Sequence, residues 1–243
     1  MAKIRRVPLG AGDGSFWLAA AAIGAAALFV LIALAYRAGV TGAVDTAAYA
    51  LFATVDDRTL DTIAQADDDV ARVIPTFALA ALMAIGLAWK GPRWAWFVPL
   101  SIALTAVVEF FAKLGFARGL HLGEIVRAAQ EFIGVRFATG GSFPSGHVAR
   151  TVFLATIGAR FFPFWVTIPL VALASLTFLA RLYIEAHRLS DVLGGVALGI
   201  SVACAALWLR AVLDARSWGS PGAPVVAGTR VTATGANEIG PDR

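Results

Sequence analysis

The sequence predicts an all-α protein, a polytopic membrane bundle of six transmembrane helices with short amphipathic helices on its extracytoplasmic side. Of the 243 residues, 59% are hydrophobic and 15% are charged, and the mean hydropathy is +0.76. An ordinary globular chain carries roughly 25% charged residues. The apolar residues form six runs long enough for membrane-spanning helices, and a segment rich in aspartate separates the first two runs. These observations together indicate a multi-pass membrane protein.

The first apolar run, residues 16–36, contains no charged residue and follows a polar, glycine-rich segment, residues 1–15. The basic residues of that segment are Lys3, Arg5 and Arg6. Basic flanking residues prefer the cytoplasm, so we expect a cytoplasmic N-terminal segment. The run is longer than the roughly 7–15 apolar residues of a secretory signal, which favours a retained span. The alternative is a cleaved signal, because Ala33-Leu34-Ala35 resembles a cleavage site.

The second element, residues 37–72, interleaves aspartates with apolar residues at roughly helical spacing. Its aspartates are Asp45, Asp56, Asp57, Asp61, Asp67, Asp68 and Asp69. This pattern predicts amphipathic helices lying on the membrane surface. The run of three aspartates would suit a cation, but no liganding spacing accompanies it, so we interpret it as a solvated turn between helices.

The remaining elements are five further spans and a C-terminal tail. The predicted spans are residues 73–89, 94–112, 147–162, 164–179 and 192–213. Residues 16–213 therefore form one six-span membrane domain. Residues 214–243 are rich in Gly, Pro, Ser and Thr, which predicts a disordered cytoplasmic tail. The single cysteine, Cys204, lies within an apolar run and is interpreted as a packing residue.

The distribution of basic residues sets the predicted topology. Lys and Arg in short loops prefer the cytoplasm, and the net charge of +4 comes with a basic N-terminus and basic short loops rather than a nucleic-acid-binding face. With the N-terminus inside, three polar segments meet on the outer side: residues 37–72, 113–146 and 180–191. We therefore expect a multi-pass protein of the plasma (inner) membrane with a site that faces the extracytoplasmic side.

The segment 140–147, G-G-S-F-P-S-G-H, ends where an apolar helix is predicted to begin. The free N–H groups at a helix start attract anions, and Gly146 lets the backbone approach a ligand. Ser145 is placed to cap the helix or to donate to a phosphate oxygen. His147 is placed to deliver a proton. The structural alternative is a capped helix with an incidental histidine.

A second polar segment contains Arg181, His187 and Asp191. On a helix, residues four apart share a face, so the Asp191 carboxylate is predicted to accept a proton from one imidazole nitrogen of His187. The other nitrogen is then available as a nucleophile or base. The guanidinium of Arg181 is suited to phosphate oxygens. The alternative is an ion pair at the membrane interface with Arg181 extended toward the headgroups.

Together, F-P-S-G-H at 143–147 and R-x5-H-x3-D at 181–191 resemble the second and third signature motifs of the type 2 phosphatidic-acid phosphatases, a family that shares its site with vanadium haloperoxidases. The resemblance covers residues 40–213. It implies that His187 attacks the phosphorus and forms a phosphohistidine, while Asp191 orients His187. It also implies that His147 protonates the leaving oxygen, that Arg181, Ser145 and the Gly146 N–H hold the other phosphate oxygens, and that no metal or other cofactor is needed.

The first motif of that family, K-x6-R-P, is only partly present. Lys113 matches its lysine, but Leu120 stands where the arginine is expected. Arg118 is the preferred second phosphate-binding cation, and Arg127 and Arg136 are further candidates. Two other charges next to the site have open interpretations. Glu109 pairs with Lys113 or is a plain interface charge, and Arg150 pairs with Glu109 or Glu185 or else contacts phosphate.

The function that the resemblance implies is hydrolysis of a phosphomonoester or diphosphate on a lipid by a metal-independent integral membrane phosphatase. Its partners are the lipid phosphate substrate and membrane lipids, and no nucleic acid is expected. Candidate substrates are polyprenyl diphosphate, phosphatidic acid and phosphatidylglycerophosphate. One alternative is a phosphotransferase that passes the phosphoryl group to a sugar or lipid hydroxyl. Another is a lipid-binding or transport protein with a vestigial site, which the incomplete first motif favours and the intact histidines oppose.

Overall fold

The computed structural model describes residues 13–89, 91, 95–116 and 142–218, and these residues are almost entirely helical. The helices are α1 (Asp13–Arg37), α2 (Gly42–Phe52), α3 (Arg58–Ala71), α4 (Val73–Trp89), α5 (Phe97–Phe116), α6 (Gly146–Phe161), α7 (Phe164–Tyr183) and α8 (Leu189–Trp218). Within the described ranges the chain forms no strand. The predicted all-α class is therefore confirmed.

Four of these helices, α1, α5, α7 and α8, are long and apolar enough to cross a membrane. A fifth candidate is the pair α3 and α4, which passes the same test together but is bent by 60°. Helix α6 has 16 residues, a length of about 24 Å against a hydrocarbon thickness of roughly 30 Å. The chain is thus a multi-pass membrane protein, its described ranges hold four or five candidate spans, and the predicted count of six remains a prediction.

Helix α8 corrects the predicted boundary of the tail. Residues 214–218 were expected to be disordered, but they continue the helix as far as Trp218. An ion pair of 3.5 Å between Arg210 and Asp214, one turn apart, supports the continuation after the apolar run has ended. The rest of the predicted tail and residues 1–12 lie outside the described residues.

Helix α6 lies at the centre of the bundle. It packs closely against α7 and α8 and also contacts α3, α4 and α5. Two glycines of α8 allow the closest approach, because a Cβ on Gly195 or Gly199 would lie 2.5 Å from a backbone carbonyl oxygen of Ser145 or Ala149. Small residues at such helix contacts are the common solution in membranes, where close packing replaces the hydrophobic effect. The start of α6 is thereby fixed against the start of α8.

Helix α1 packs along α8 and supports the loop that precedes α6. The rings of Phe29 and Tyr36 stack on Phe143 with centroid distances of 5.6 and 5.2 Å, and the hydroxyl groups of Tyr36 and Ser142 lie 3.4 Å apart. On the other side of Phe143, Gly194 leaves room for the ring. Phe143 is fully buried as a result, and the loop enters α6 along a defined path.

Candidate active site

The start of α6 leaves a hydroxyl group unused. Ser145 occupies the N-cap position, yet its side chain makes no capping hydrogen bond. Its backbone N–H instead donates to the carbonyl oxygen of Asp191 at 2.9 Å, which ties α6 to α8. The first N–H groups of a helix have no partner within the helix. Ser145, Gly146 and His147 therefore present a buried hydroxyl, backbone N–H groups and an imidazole at one helix end.

Gly146 is required for a different reason from the predicted one. A Cβ at this position would collide with the carboxylate of Glu109 on α5. The glycine therefore allows α5 and α6 to approach each other. Its close neighbour is a carboxylate of this chain, so the predicted role in admitting a ligand to the backbone stays a prediction.

Arg181, at the end of α7, is buried and held by two aspartates of α3. Its Nη1 donates to Oδ1 of Asp68 at 2.5 Å, and its Nη2 lies 3.5 Å from Oδ2 of Asp67. The hydroxyl of Thr177, one turn earlier on α7, donates to Asp67 at 2.7 Å. The interpretation of residues 67–69 as a solvated turn is therefore wrong, because Asp67 is only 3% exposed and fixes the guanidinium of Arg181.

Asp68 also links Arg181 to His147 at the start of α6. The Oδ1 atom that accepts from Arg181 lies 3.5 Å from Nε2 of His147. The other oxygen of Asp68 accepts from Arg72 at 2.9 Å. Oδ1 of Asp68 thus lies between Arg181, the candidate phosphate-binding residue, and His147, the candidate proton donor. A phosphate oxygen bound by the same two side chains would occupy a similar position.

His187 and Asp191 meet, but not on the face of one helix as predicted. His187 lies in the loop between α7 and α8, and α8 begins only at Leu189. The loop is closed by the N–H of His187, which donates to the carbonyl oxygen of Arg181 at 3.2 Å. Nδ1 of His187 lies 3.5 Å from Oδ2 of Asp191, and the same oxygen accepts from the N–H of Arg188 at 2.9 Å. Asp191 therefore both orients the imidazole and caps α8.

A second aspartate completes the cap of α8. Asp45 of α2 is buried and accepts from the N–H and the hydroxyl of Ser190, at 2.8 and 2.9 Å. This contact joins α2 to the first turn of α8, next to Asp191. Helix α2 therefore holds the segment that carries the candidate nucleophile.

Glu109, Lys113 and Arg150 form a buried ionic cluster behind the start of α6. Glu109 accepts from Lys113 at 2.8 Å through one carboxylate oxygen and from Arg150 at 2.6 Å through the other. The exposed fractions of the three residues are only 2, 7 and 1%. Two of the open interpretations are thereby decided: Glu109 pairs with Lys113, and Arg150 pairs with Glu109.

Several buried polar atoms at this end of the bundle lack hydrogen-bond partners within the described part of the chain. The donors or potential donors among them are Oγ of Ser145, Nε2 of His147, Nε of Arg150, Nε and Nη2 of Arg181 and Nδ1 of His187, and the acceptors are Oδ2 of Asp67 and Oδ1 of Asp191. Buried polar groups in native proteins are nearly always hydrogen-bonded, so such a group of atoms calls for an explanation. All but the two aspartate oxygens are donors or can become donors, which is the chemistry that binds an anion.

The structure therefore brings together most of the residues that the sequence singled out, on α5, α6, α7 and α8. Arg118, Arg127, Arg136 and His121 lie outside the described residues. Sequence reasoning missed Asp45, Asp67, Asp68 and Thr177 as supporting residues. One signal was available for Asp67, because it shares a helical face with the small residues Ala64 and Ala71 and so interrupts a packing face.

Comparisons with known proteins agree with this geometry. The family model described as the PAP2 superfamily matches residues 94–214, which include both histidine segments. A crystal structure of a transmembrane PAP2-type phosphatidylglycerolphosphate phosphatase from Bacillus subtilis is similar, with a TM-score of 0.60 and 18% sequence identity. The similarity covers 81% of this chain and 96% of that chain. No curated protein matches the chain. With the family match and the shared fold, the chain belongs to the PAP2 superfamily of type 2 phosphatidic-acid phosphatases.

Proposed function

We propose that this protein is an integral membrane phosphatase that hydrolyses a phosphomonoester or diphosphate of a lipid through a phosphohistidine. The observation that carries the proposal is the group of buried, unpartnered polar atoms on Ser145, His147 and Arg181. They come from two separate segments and lie at the end of a helix whose first N–H groups have no partner within the helix. A bound phosphoryl group would satisfy them at once.

In the proposed mechanism, Asp191 accepts a hydrogen bond from the protonated Nδ1 of His187, which leaves Nε2 unprotonated, and Nε2 attacks the phosphorus. A P–N bond forms as the bond to the leaving oxygen breaks, and His147 gives that oxygen a proton. Arg181, Ser145 and the N–H groups of α6 stabilise the charge on the three other oxygens. Water then attacks the phosphohistidine, His147 takes the proton from that water, and phosphate leaves.

The cluster of Glu109, Lys113 and Arg150 supports this mechanism through its charge. It has two cations and one carboxylate, so it adds a net positive charge next to the start of α6. Lys113 is the proposed cation of the first motif, and Arg118 is proposed as its partner. The residues of the second and third motifs carry out the phosphoryl transfer itself. The departures from the first motif should therefore change substrate choice and rate rather than the type of reaction.

The proposed setting is the outer face of a plasma membrane, at headgroup depth. Helices α4 and α6 complete six spans, with α6 shielded from lipid by its neighbours, and α2 and α3 lie at the outer surface beside the site. Polyprenyl diphosphate, phosphatidic acid and phosphatidylglycerophosphate fit this setting, with a slight preference for the polyprenyl compound. The similarity to a phosphatidylglycerolphosphate phosphatase supports the third of these.

Phosphate release from these three lipids by the purified protein in detergent tests the proposal, with and without EDTA. His187→Ala should abolish turnover on every substrate, because removal of a nucleophile is not substrate-specific. His121→Ala is the matched control and should retain turnover, because His121 belongs to none of the family motifs. Radiolabelled substrate should leave an acid-labile label on the wild-type protein and none on His187→Ala. Undiminished turnover in His187→Ala would refute the mechanism, and transfer of label to an added hydroxyl acceptor in place of water would identify a phosphotransferase.

A further inference from the structure

A groove with a volume of about 640 Å³ runs between α7 and α8, with α6 as its floor. The loop 184–188 joins α7 to α8 at one end, and below it the two helices make few contacts with each other, whereas α6 packs closely against both. Gly158 permits the α6–α7 contact, since a Cβ there would lie 2.5 Å from the side chain of Leu170. The groove is the space that this arrangement leaves open.

The groove begins directly below the candidate active site. His147 starts α6, Arg181 ends α7 and Asp191 starts α8, so the site lies at one end of the same three helices. On α6 the lining runs from Val152 to Ala159, which is about 7 to 18 Å along the helix from His147. One leaflet of a bilayer is about 15 Å thick. A chain attached to a phosphoryl group at the site would thus pass along the groove through one leaflet.

The lining of the groove is chemically uniform. Apart from Thr156 and Ser175, its side chains are hydrocarbon, and the hydroxyl of Thr156 already donates to the carbonyl oxygen of Val152 at 2.8 Å. Ala155 in the floor and Ala174 on the α7 side are buried, whereas Ser175 and Ala159 are exposed. Because the surrounding membrane is also hydrocarbon, the groove offers no gain from excluding water. It offers shape and a fixed direction relative to the site.

We propose that this groove binds one hydrocarbon chain of the lipid phosphate substrate and so directs the phosphoryl group toward His187. The inference rests on the proposed function and names the part of the protein that distinguishes a lipid phosphate from a water-soluble one. The charged group is held at the helix ends, and the chain extends away from it along the α7–α8 opening. A short or absent chain loses this orientation but keeps its access to the phosphate-binding groups.

Ser175→Phe fills the groove from its open side, and Ala172→Phe is the matched control, since Ala172 is exposed on the same helix but does not line the groove. With dipalmitoyl phosphatidic acid, Ser175→Phe should lower kcat/KM about tenfold. With p-nitrophenyl phosphate, kcat/KM should stay unchanged. Ala172→Phe should leave both values unchanged. Equal loss on both substrates, or none on the lipid, would overturn the inference. If Ser175→Phe does not fold, Ala159→Phe takes its place.

A binding measurement separates this inference from the proposed activity. A phosphatidic acid with a diazirine in the middle of its chain is cross-linked to His187→Ala protein, and the labelled peptides are identified by mass spectrometry. The inference is supported if the groove residues of α6, α7 and α8 carry the label and if Ser175→Phe removes that label. This holds even if no lipid phosphate is turned over. Label elsewhere overturns it. So does equal labelling by a phosphate-free diacylglycerol probe, or cross-linking of the groove to a second copy of the chain.

Discussion

Replacement of Glu109 by glutamine should be the most destabilising single charge change in the described part of the protein. The carboxylate is 2% exposed and is the acceptor for both Lys113 and Arg150, at 2.8 and 2.6 Å. An amide keeps the volume but removes the negative charge that both buried cations contact. Breaking a buried ion pair from one side costs about 3–5 kcal/mol. For a chain of this size that corresponds to a fall in Tm of roughly 6–20 °C.

Thermal unfolding in detergent, followed by circular dichroism, measures this effect. The matched control is Asp56→Asn, which removes one carboxylate from an exposed loop position and should shift Tm by less than about 2 °C. The double variant Glu109→Gln with Arg150→Met removes one of the two cations and should recover part of the loss. A Tm of Glu109→Gln within about 2 °C of the control, or a double variant less stable than the single one, would refute the reasoning.

Three further predictions concern single positions. Gly146→Ala places a Cβ against a buried carboxylate and should lower the free energy of unfolding by about 1–3 kcal/mol. It should also remove most of the phosphatase activity. Gly24→Ala, with open space around it, is the control and should change stability by less than about 1 kcal/mol. Asp68→Asn removes a carboxylate that contacts the candidate phosphate-binding arginine and should lower the inhibition constant of orthovanadate roughly 3- to 10-fold. Asp69→Asn, whose carboxylate is 71% exposed, should leave that constant unchanged, and equal effects of the two would contradict the geometry. The pKa of Asp57 lies below its usual value because its carboxylate accepts two backbone N–H groups of α3, so its stabilising effect is present above about pH 4. It should disappear as the pH falls through the lowered pKa, and Asp57→Asn should flatten the acid side of a plot of Tm against pH.

The fold class and the residues of the candidate site that the structure brings together could be predicted from the sequence because both depend on local patterns. Apolar runs indicate helices in a membrane, and charges such as His147, Arg181 and Asp191 at the ends of those runs are costly unless they have a function. The family motifs then assigned roles to the same residues. The loop position of His187 was not predictable. His187 and Asp191 are four residues apart, and that spacing brings them together either on one helix or, as here, when Asp191 caps α8 and His187 lies in the preceding turn.

The supporting contacts could not be predicted because they join distant parts of the chain. Asp67 and Thr177 are separated by 110 residues, and Asp45 and Ser190 by 145. Nothing in a local window pairs an aspartate on one helix with a hydroxyl on another. A polar residue on a small-residue helix face, as at Asp67, is the signal that sequence reasoning should weigh more heavily in a membrane protein, because such a residue needs a partner inside the bundle.

The contact between α1 and α8 has a consequence for how the protein is made. Of the helices that the structure describes, α1 is synthesised first and α8 last, and these two pack along each other. Phe29 and Tyr36 of α1 also hold the loop that leads into α6. During insertion, α1 must remain in the bilayer without this packing partner until α8 has been translated. The end of the bundle that holds the candidate active site therefore assembles only after elongation through α8, and a nascent chain stalled before that point lacks the assembled site.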